Sequence, residues 1–70
     1  MAGKRTMTLN LTEEEMASLE DLSARFDMSK TALVRRALRM YHFVQDRMQR
    51  GEKLFLEDEA ENKKAEILVL

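Results

Sequence analysis

Apolar and polar positions alternate strictly along residues 5–11. Met7, Leu9 and Leu11 fall on one side, and the residues between them are polar. A period of two predicts a half-buried β-strand over residues 5–11. No partner strand is predicted before residue 51, and the backbone N–H and C=O groups of a strand need partners. The pattern therefore predicts pairing with the same strand of a second copy, as a two-stranded antiparallel ribbon across a twofold axis.

A first helix is predicted over residues 12–26, where apolar residues recur at spacings of three and four. Its start matches a capping box, in which Thr12 and Glu15 each bond the backbone of the other. Its end needs a residue that accepts a left-handed backbone. Asp27 stands at that position and tolerates this conformation less well than glycine does.

A second helix is predicted over residues 29–50, with Ser29 as its N-cap and Gly51 as its C-cap. Its apolar stripe advances by about 100° per residue, and arginines occupy the far side. Phe43 lies among those arginines rather than in the stripe. We therefore expect something to cover Phe43, and residues 51–70 could do so or could instead be a docking site.

The pattern changes after the second helix. Short apolar runs at 54–56 and 67–70 flank the polar stretch 58–64. This pattern fits either a β-hairpin or a tail that becomes ordered only on a partner, and periodicity does not choose between them. The expected organisation is a domain of residues 1–50 followed by a tail or hairpin of residues 51–70.

Length and composition narrow the class of protein. Seventy residues bury a thin core, and such chains commonly gain stability by oligomerising. The chain has no cysteine, which excludes a disulfide framework and a cysteine-based zinc site. No apolar run is long enough to span a bilayer, and the amino terminus is too short and polar for a signal peptide, so we expect a cytoplasmic protein. His42 is the single histidine and has no triad partners at helical spacing, so we expect no enzyme, no metal and no cofactor.

The net charge is only −1, but the charge is distributed in blocks. Residues 1–11 carry +2 and residues 29–50 carry +5, while residues 12–28 carry −5 and residues 51–70 carry −3. Such blocks polarise the surface of a small chain. The predicted strand and the second helix are its positive parts.

The order of strand, capped helix, short turn and second helix resembles the ribbon-helix-helix family, and more narrowly its CopG-like branch. Two stretches carry the resemblance, Thr-Met-Thr-Leu-Asn-Leu-Thr at 6–12 and Met-Ser-Lys-Thr-Ala-Leu at 28–33, and it covers about residues 4–48. It implies a mainly α fold with an amino-terminal strand, in an intertwined homodimer that inserts its two-stranded ribbon into the major groove of DNA. Asp27 departs from the glycine usual in that family. The family pattern says nothing reliable about residues 51–70.

The resemblance also implies roles for individual residues. The outward polar residues of the strand would contact DNA bases: Thr6, Thr8 and Asn10. A second set would contact phosphates: Lys4, Arg5, Ser29, Lys30 and Thr31. The apolar residues would form the dimer core: Met7, Leu9, Leu11, Leu19, Leu22, Leu33, Ala37, Leu38 and Tyr41. Physical chemistry supports these roles, because an asparagine amide can pair bidentately with adenine and a helix N-terminus offers N–H groups to a phosphate.

Three functions are compatible with this pattern. In the first, the homodimer is a transcriptional repressor on a palindromic site in double-stranded DNA, and dimers can lie side by side on it. In the second, it is an antitoxin that represses its own promoter and binds a toxin protein through residues 51–70. In the third, a monomer pairs its tail strands with residues 5–11 as a small β-α-α-β-β interaction module. We expect the first, because a tail apolar at both ends fits a hairpin better than a disordered acidic segment.

Overall fold

The computed structural model of the chain describes residues 3–68, as two helices followed by a two-stranded antiparallel hairpin. The elements are α1 (Glu13–Arg25), α2 (Lys30–Gln49), β1 (Leu54–Asp58) and β2 (Lys63–Ile67). The chain divides into two compact units, residues 1–34 and residues 35–70, and α2 runs through both.

Helix α1 of the first unit begins at the predicted capping box. The Oγ1 of Thr12 accepts the N–H of Glu15 at 3.1 Å, and the Oε1 of Glu15 accepts the N–H of Thr12 at 2.9 Å. Three acidic residues occupy the first turn, where the positive end of the helix dipole favours them. These contacts lie within four residues of one another, so local sequence alone determines where α1 starts.

The turn between the helices depends on the left-handed backbone of Asp27 and on two hydrogen bonds of Ser23. Asp27 has a φ of 51°, the conformation that the sequence required of it. The carbonyl of Ser23 accepts the N–H of Met28 at 3.0 Å, and the Ser23 hydroxyl donates to the carbonyl of Met28. Ser29 then caps α2, its Oγ accepting the N–H of Ala32 at 3.1 Å. The predicted N-cap is confirmed.

The predicted amino-terminal strand is wrong. Residues 3–12 form neither helix nor strand, and the strands of the described chain come after the helices. The ribbon-helix-helix fold class, with its intermolecular two-stranded ribbon, is therefore wrong as well. The physical reason is that alternation of side chains fixes only which face each residue takes. A strand also needs a neighbour for its backbone groups, and within residues 3–68 the segment at 5–11 has none.

In the second unit, α2 ends at a glycine and an ion pair. Gly51 has a φ of 95°, so it supplies the left-handed turn predicted for it. The guanidinium of Arg47 donates two hydrogen bonds to the carboxylate of Glu52. A paired, forked contact of this kind fixes geometry as well as adding stability. It holds the chain at the point where it leaves α2 and enters β1.

The carboxyl-terminal segment is a β-hairpin, one of the two structures that its pattern allowed. The register places Leu54 opposite Ile67, with Leu56 opposite Ala65. Asn62 has a φ of 55° in the connecting turn, a conformation that asparagine tolerates better than most residues. Because residues 5–11 form no strand and pair with neither β1 nor β2, the alternative in which the tail strands pair with the amino-terminal segment is wrong.

Few side chains of the described residues are buried. Val44 on α2, 9% exposed, is the one apolar side chain in residues 3–68 that counts as buried. Phe43 is 60% exposed, so residues 51–68 do not cover it. The guanidinium of Arg47 lies 5.4 Å from the centre of the Phe43 ring instead. Eleven large apolar side chains are exposed: Met7, Leu9, Met16, Phe26, Leu38, Met40, Tyr41, Phe43, Phe55, Leu56 and Leu68.

The capping box makes a direct prediction for stability. Replacing Thr12 by alanine removes a side-chain acceptor from α1, and such changes cost about 1 kcal/mol. We expect Thr12→Ala to lower the thermal midpoint, followed by circular dichroism at 222 nm, by about 4–8 °C. Thr8→Ala is the matched control, because Thr8 lies outside both helices and makes no hydrogen bond within residues 3–68. Equal midpoints for the two variants would contradict the role of Thr12.

The pair at the end of α2 predicts a shifted titration. The hydrogen bond from Arg47, with a smaller charge contribution, lowers the pKa of Glu52 below its ordinary value of 4.5. We therefore expect Arg47→Gln to raise the pKa of Glu52 towards 4.5, as measured by NMR of its side-chain carboxyl carbon. The pKa of Glu52 is lower in the folded chain than in the unfolded chain. The stabilisation by this pair is therefore present above pH 4.5 and is lost as the pH falls through the folded-state pKa.

Arg50→Gln is the control for this titration. Arg50 acts on the Glu52 pKa through charge alone and contributes least. Its removal should move the Glu52 midpoint less than Arg47→Gln does. A larger shift from Arg50→Gln would show that charge, rather than the hydrogen bond, governs this carboxylate.

Candidate nucleic-acid interface

The candidate base-contacting residues lie in an exposed segment ahead of α1. Thr6, Thr8 and Asn10 are exposed, and the apolar residues between them are exposed as well, Met7 by 76% and Leu9 by 53%. No residue of the segment hydrogen-bonds elsewhere within residues 3–68. Its amide and hydroxyl groups are therefore open to an external partner.

Three of the candidate phosphate-binding residues, Ser29, Lys30 and Thr31, lie at the start of α2, and the other two, Lys4 and Arg5, lie in the exposed segment ahead of α1. The Ser29 hydroxyl is occupied by the N–H of Ala32, and the Ser29 carbonyl accepts the N–H of Leu33 at 2.9 Å. The N–H groups of Lys30 and Thr31 have no acceptor within the helix, because the first amides of any α-helix lack one. They point outward from the positive end of the α2 dipole.

Lys30 adds a positive charge to this helix end. Its Nζ lies 3.4 Å from the Oε2 of Glu20, and both side chains are about half exposed. Exposed ion pairs of this kind contribute about 0–1 kcal/mol. Lys30 can therefore exchange its carboxylate for a phosphate at little cost. Asp27 supplies an opposing charge a few residues earlier.

The base-contacting residues and the start of α2 lie at opposite ends of α1. The amino-terminal segment joins α1 at Thr12, and Ser29 lies beyond the carboxyl end of the helix. Thirteen residues at the rise of an α-helix make α1 about 20 Å long. No hydrogen bond or ion pair links the segment 3–11 to the start of α2 within the described chain. The structure therefore places Lys4 and Arg5 beside the base-contacting residues and divides them from Ser29, Lys30 and Thr31.

The predicted dimer-core residues are only partly covered. Leu11, Leu19, Leu22 and Leu33 are half-buried. The others are exposed: Met7, Leu9, Ala37, Leu38 and Tyr41. A side chain that is only half covered gains only part of the 1.5–3 kcal/mol that full burial provides.

An apolar groove in the second unit was not predicted from the sequence. Met40, Val44 and Leu54 line it, at the place where β1 approaches α2. The spacing of four between Met40 and Val44 is a signal that could have revealed this side of the groove, because such residues share a helix face. Leu54 could not be assigned, since its pairing was open between hairpin and tail.

Other titratable groups form no metal-binding cluster in the described chain. His42 Nε2 lies 3.6 Å from Asp46 Oδ2, an exposed pair at i,i+4 spacing on α2. Within residues 3–68 no group of three or more His, Cys, Asp or Glu side chains is placed to hold a metal ion. The pKa of Arg47 is raised by its hydrogen bond to Glu52, so the guanidinium keeps its charge.

Comparison with known proteins gives no relative: no family model, no curated protein and no solved structure matches the chain. Neither helix in the described part of the chain combines the length and apolar character that crossing a bilayer requires.

Proposed function

We propose that the chain is a cytoplasmic, sequence-specific DNA-binding protein that represses transcription as a homodimer on a palindromic operator. The observation that carries the proposal is the exposed segment at 5–11. Its alternating threonine and asparagine side chains have no partner within residues 3–68, and two cations, Lys4 and Arg5, lie at its start. Short neutral side chains that both donate and accept suit base edges, and adjacent cations suit the phosphate backbone.

In the proposed complex the segment enters the major groove. Asn10 donates to and accepts from one adenine, while Thr6 and Thr8 each make one hydrogen bond or place a methyl group against thymine. The N–H groups of Lys30 and Thr31 bind a phosphate on the flanking backbone. Base contacts supply specificity, and the cations supply affinity that depends on salt.

Separate variants test the two kinds of contact. Asn10→Ala should cost about 1–3 kcal/mol per half-site on operator DNA, while the slope of log K against log salt stays unchanged. Lys30→Gln should weaken binding to all sequences alike and lower the slope by about one per protomer. Fluorescence anisotropy with the DNA upstream of the gene, and with a scrambled duplex, measures both quantities.

Gln49→Ala is the matched control for these variants, since it removes an exposed polar side chain at the far end of α2. It should leave affinity and slope at the values of the wild type. If the wild type binds operator and scrambled DNA equally, the proposal of sequence-specific repression is overturned.

The exposed apolar side chains support the homodimer. Leu38 is 67% exposed on α2 although it belongs to the predicted dimer core, and Met40 is 66% exposed on the opposite side of the same helix. In a dimer that buries Leu38, Leu38→Glu places a charge in an apolar contact. We expect Leu38→Glu to give a monomer in sedimentation equilibrium, while Arg39→Glu, at an exposed position on the opposite side of α2 from Ala37 and Tyr41, leaves the dimer intact. A monomeric wild type would exclude the homodimer.

A second function, an antitoxin, has one observation in its favour. Phe55 and Leu56 are exposed on the hairpin, as surface available to a protein partner. In that case Leu56→Asp should abolish capture of the toxin encoded beside the gene, while operator binding is retained. Where no such neighbouring protein binds the wild type, the antitoxin function is excluded and the repressor function stands.

A further inference from the structure

The outer edge of β2 is an unused surface for strand pairing. β1 pairs with one side of β2, and residues 3–68 contain no third strand for the other side. Residues 63–66 of this edge are exposed, and Ile67 is half-buried. An exposed edge presents a row of N–H and C=O groups that can pair with another strand.

The charges along β2 are complementary to themselves. The strand reads Lys63-Lys64-Ala65-Glu66-Ile67. The residue before Ala65 is therefore positive and the residue after it is negative. We propose that β2 pairs antiparallel with β2 of a second copy, about a twofold axis at Ala65. Lys64 then lies opposite Glu66 of the partner subunit, and the symmetric pair forms on the other side of the axis.

No other twofold axis centred on a residue of β2 sets opposite charges against each other, and several bring like charges together. A shift by one residue turns the apolar face of one hairpin to the polar face of the other, because side chains alternate. Registers that keep the faces aligned are centred on single residues. A twofold axis at Lys64 sets two lysines opposite each other, and an axis at Glu66 sets two glutamates opposite each other. Ala65 is therefore the favoured centre.

The edge of β1 lacks this complementarity. Antiparallel pairing of β1 with itself about Leu56 places Phe55 opposite Glu57 and Leu54 opposite Asp58. Neither contact joins opposite charges. The charge pattern thus selects β2, which gives the sheet order β1-β2-β2-β1 across the two copies.

The proposed sheet also joins two apolar faces. Leu54, Leu56, Ala65 and Ile67 lie on one face of the hairpin, since each pair of opposite residues shares a side. A lone two-stranded hairpin is marginal in water, whereas sheets of three or more strands with an apolar face are stable. Pairing through β2 makes this face continuous over four strands.

The inference goes beyond the proposed function, because strand pairing requires neither DNA nor the helix-face dimer. A chain that uses both contacts would connect neighbouring dimers. Disulfide formation across the β2 pair measures that contact alone, so its outcome is independent of whether the chain binds DNA.

A single cysteine at the axis tests the pairing. Directly opposite residues in an antiparallel pair have Cα atoms about 4.5–5.5 Å apart, within the range of a disulfide. The native chain has no cysteine, so Ala65→Cys introduces the sole thiol. Under mild oxidation we expect Ala65→Cys to form a covalent dimer at low protein concentration. Glu57→Cys, on β1 and away from the axis, should form far less, and equal yields for the two variants would overturn the proposal.

Exchange of the charges provides a second test on the Ala65→Cys background. Lys64→Glu sets acids against acids across the axis, and we expect the rate of disulfide formation to fall by about tenfold. Adding Glu66→Lys restores opposite charges with their signs exchanged, and the rate should return. Glu57 faces Lys64 within the hairpin, so both variants carry the same unfavourable intrachain contact. Rates are compared at equal thiolate fraction, because charges beside position 65 change the pKa of the introduced thiol. Recovery in the double variant then reports the pairing between copies, and no recovery would overturn it.

Discussion

Exposure of apolar side chains to water is the constraint on which the rest of this molecule depends. Full burial of a leucine, phenylalanine or methionine is worth about 1.5–3 kcal/mol, and the described chain buries one valine and leaves eleven larger side chains exposed. Hydrogen bonds at the helix ends and in the hairpin define the local elements, but they add little net stability each. The apolar side chains that stay exposed on α2 and on the hairpin determine which surfaces can bind another molecule.

Features set by contacts within a few residues could be predicted from the sequence. Thr12 and Ser29 cap their helices because their hydroxyl groups reach amides three residues ahead. Gly51 adopts the predicted left-handed turn for an equally local reason. The strand at 5–11 failed because pairing is non-local: alternation shows how side chains would face, not whether a neighbour exists. The hairpin remained undecided in the sequence for the same reason, since short apolar runs do not identify their partners.

The candidate interface was also predictable only in part. The sequence identified which polar residues are available, and Thr6, Thr8 and Asn10 are indeed exposed. It could not determine distances between the segment and the start of α2, because α1 and the turn at Asp27 lie between them. Phe43 was expected to be covered, but it is exposed, and the guanidinium of Arg47 lies beside its ring in a cation–π contact. The apolar groove at Met40 could not be predicted, because Leu54 of β1 forms part of it and the sequence did not determine where β1 lies.

The scarcity of buried side chains around Val44 has a consequence for the lifetime of the protein. A partner that covers the exposed apolar residues binds the folded chain and not the unfolded one. At a hundredfold excess over its dissociation constant it adds about 2.7 kcal/mol of stability, a large share of the 5–15 kcal/mol typical of a domain. Unfolded copies are the substrate of cellular proteases, so copies without a partner are degraded first. With such a partner, the abundance of the folded protein would follow the abundance of the partner.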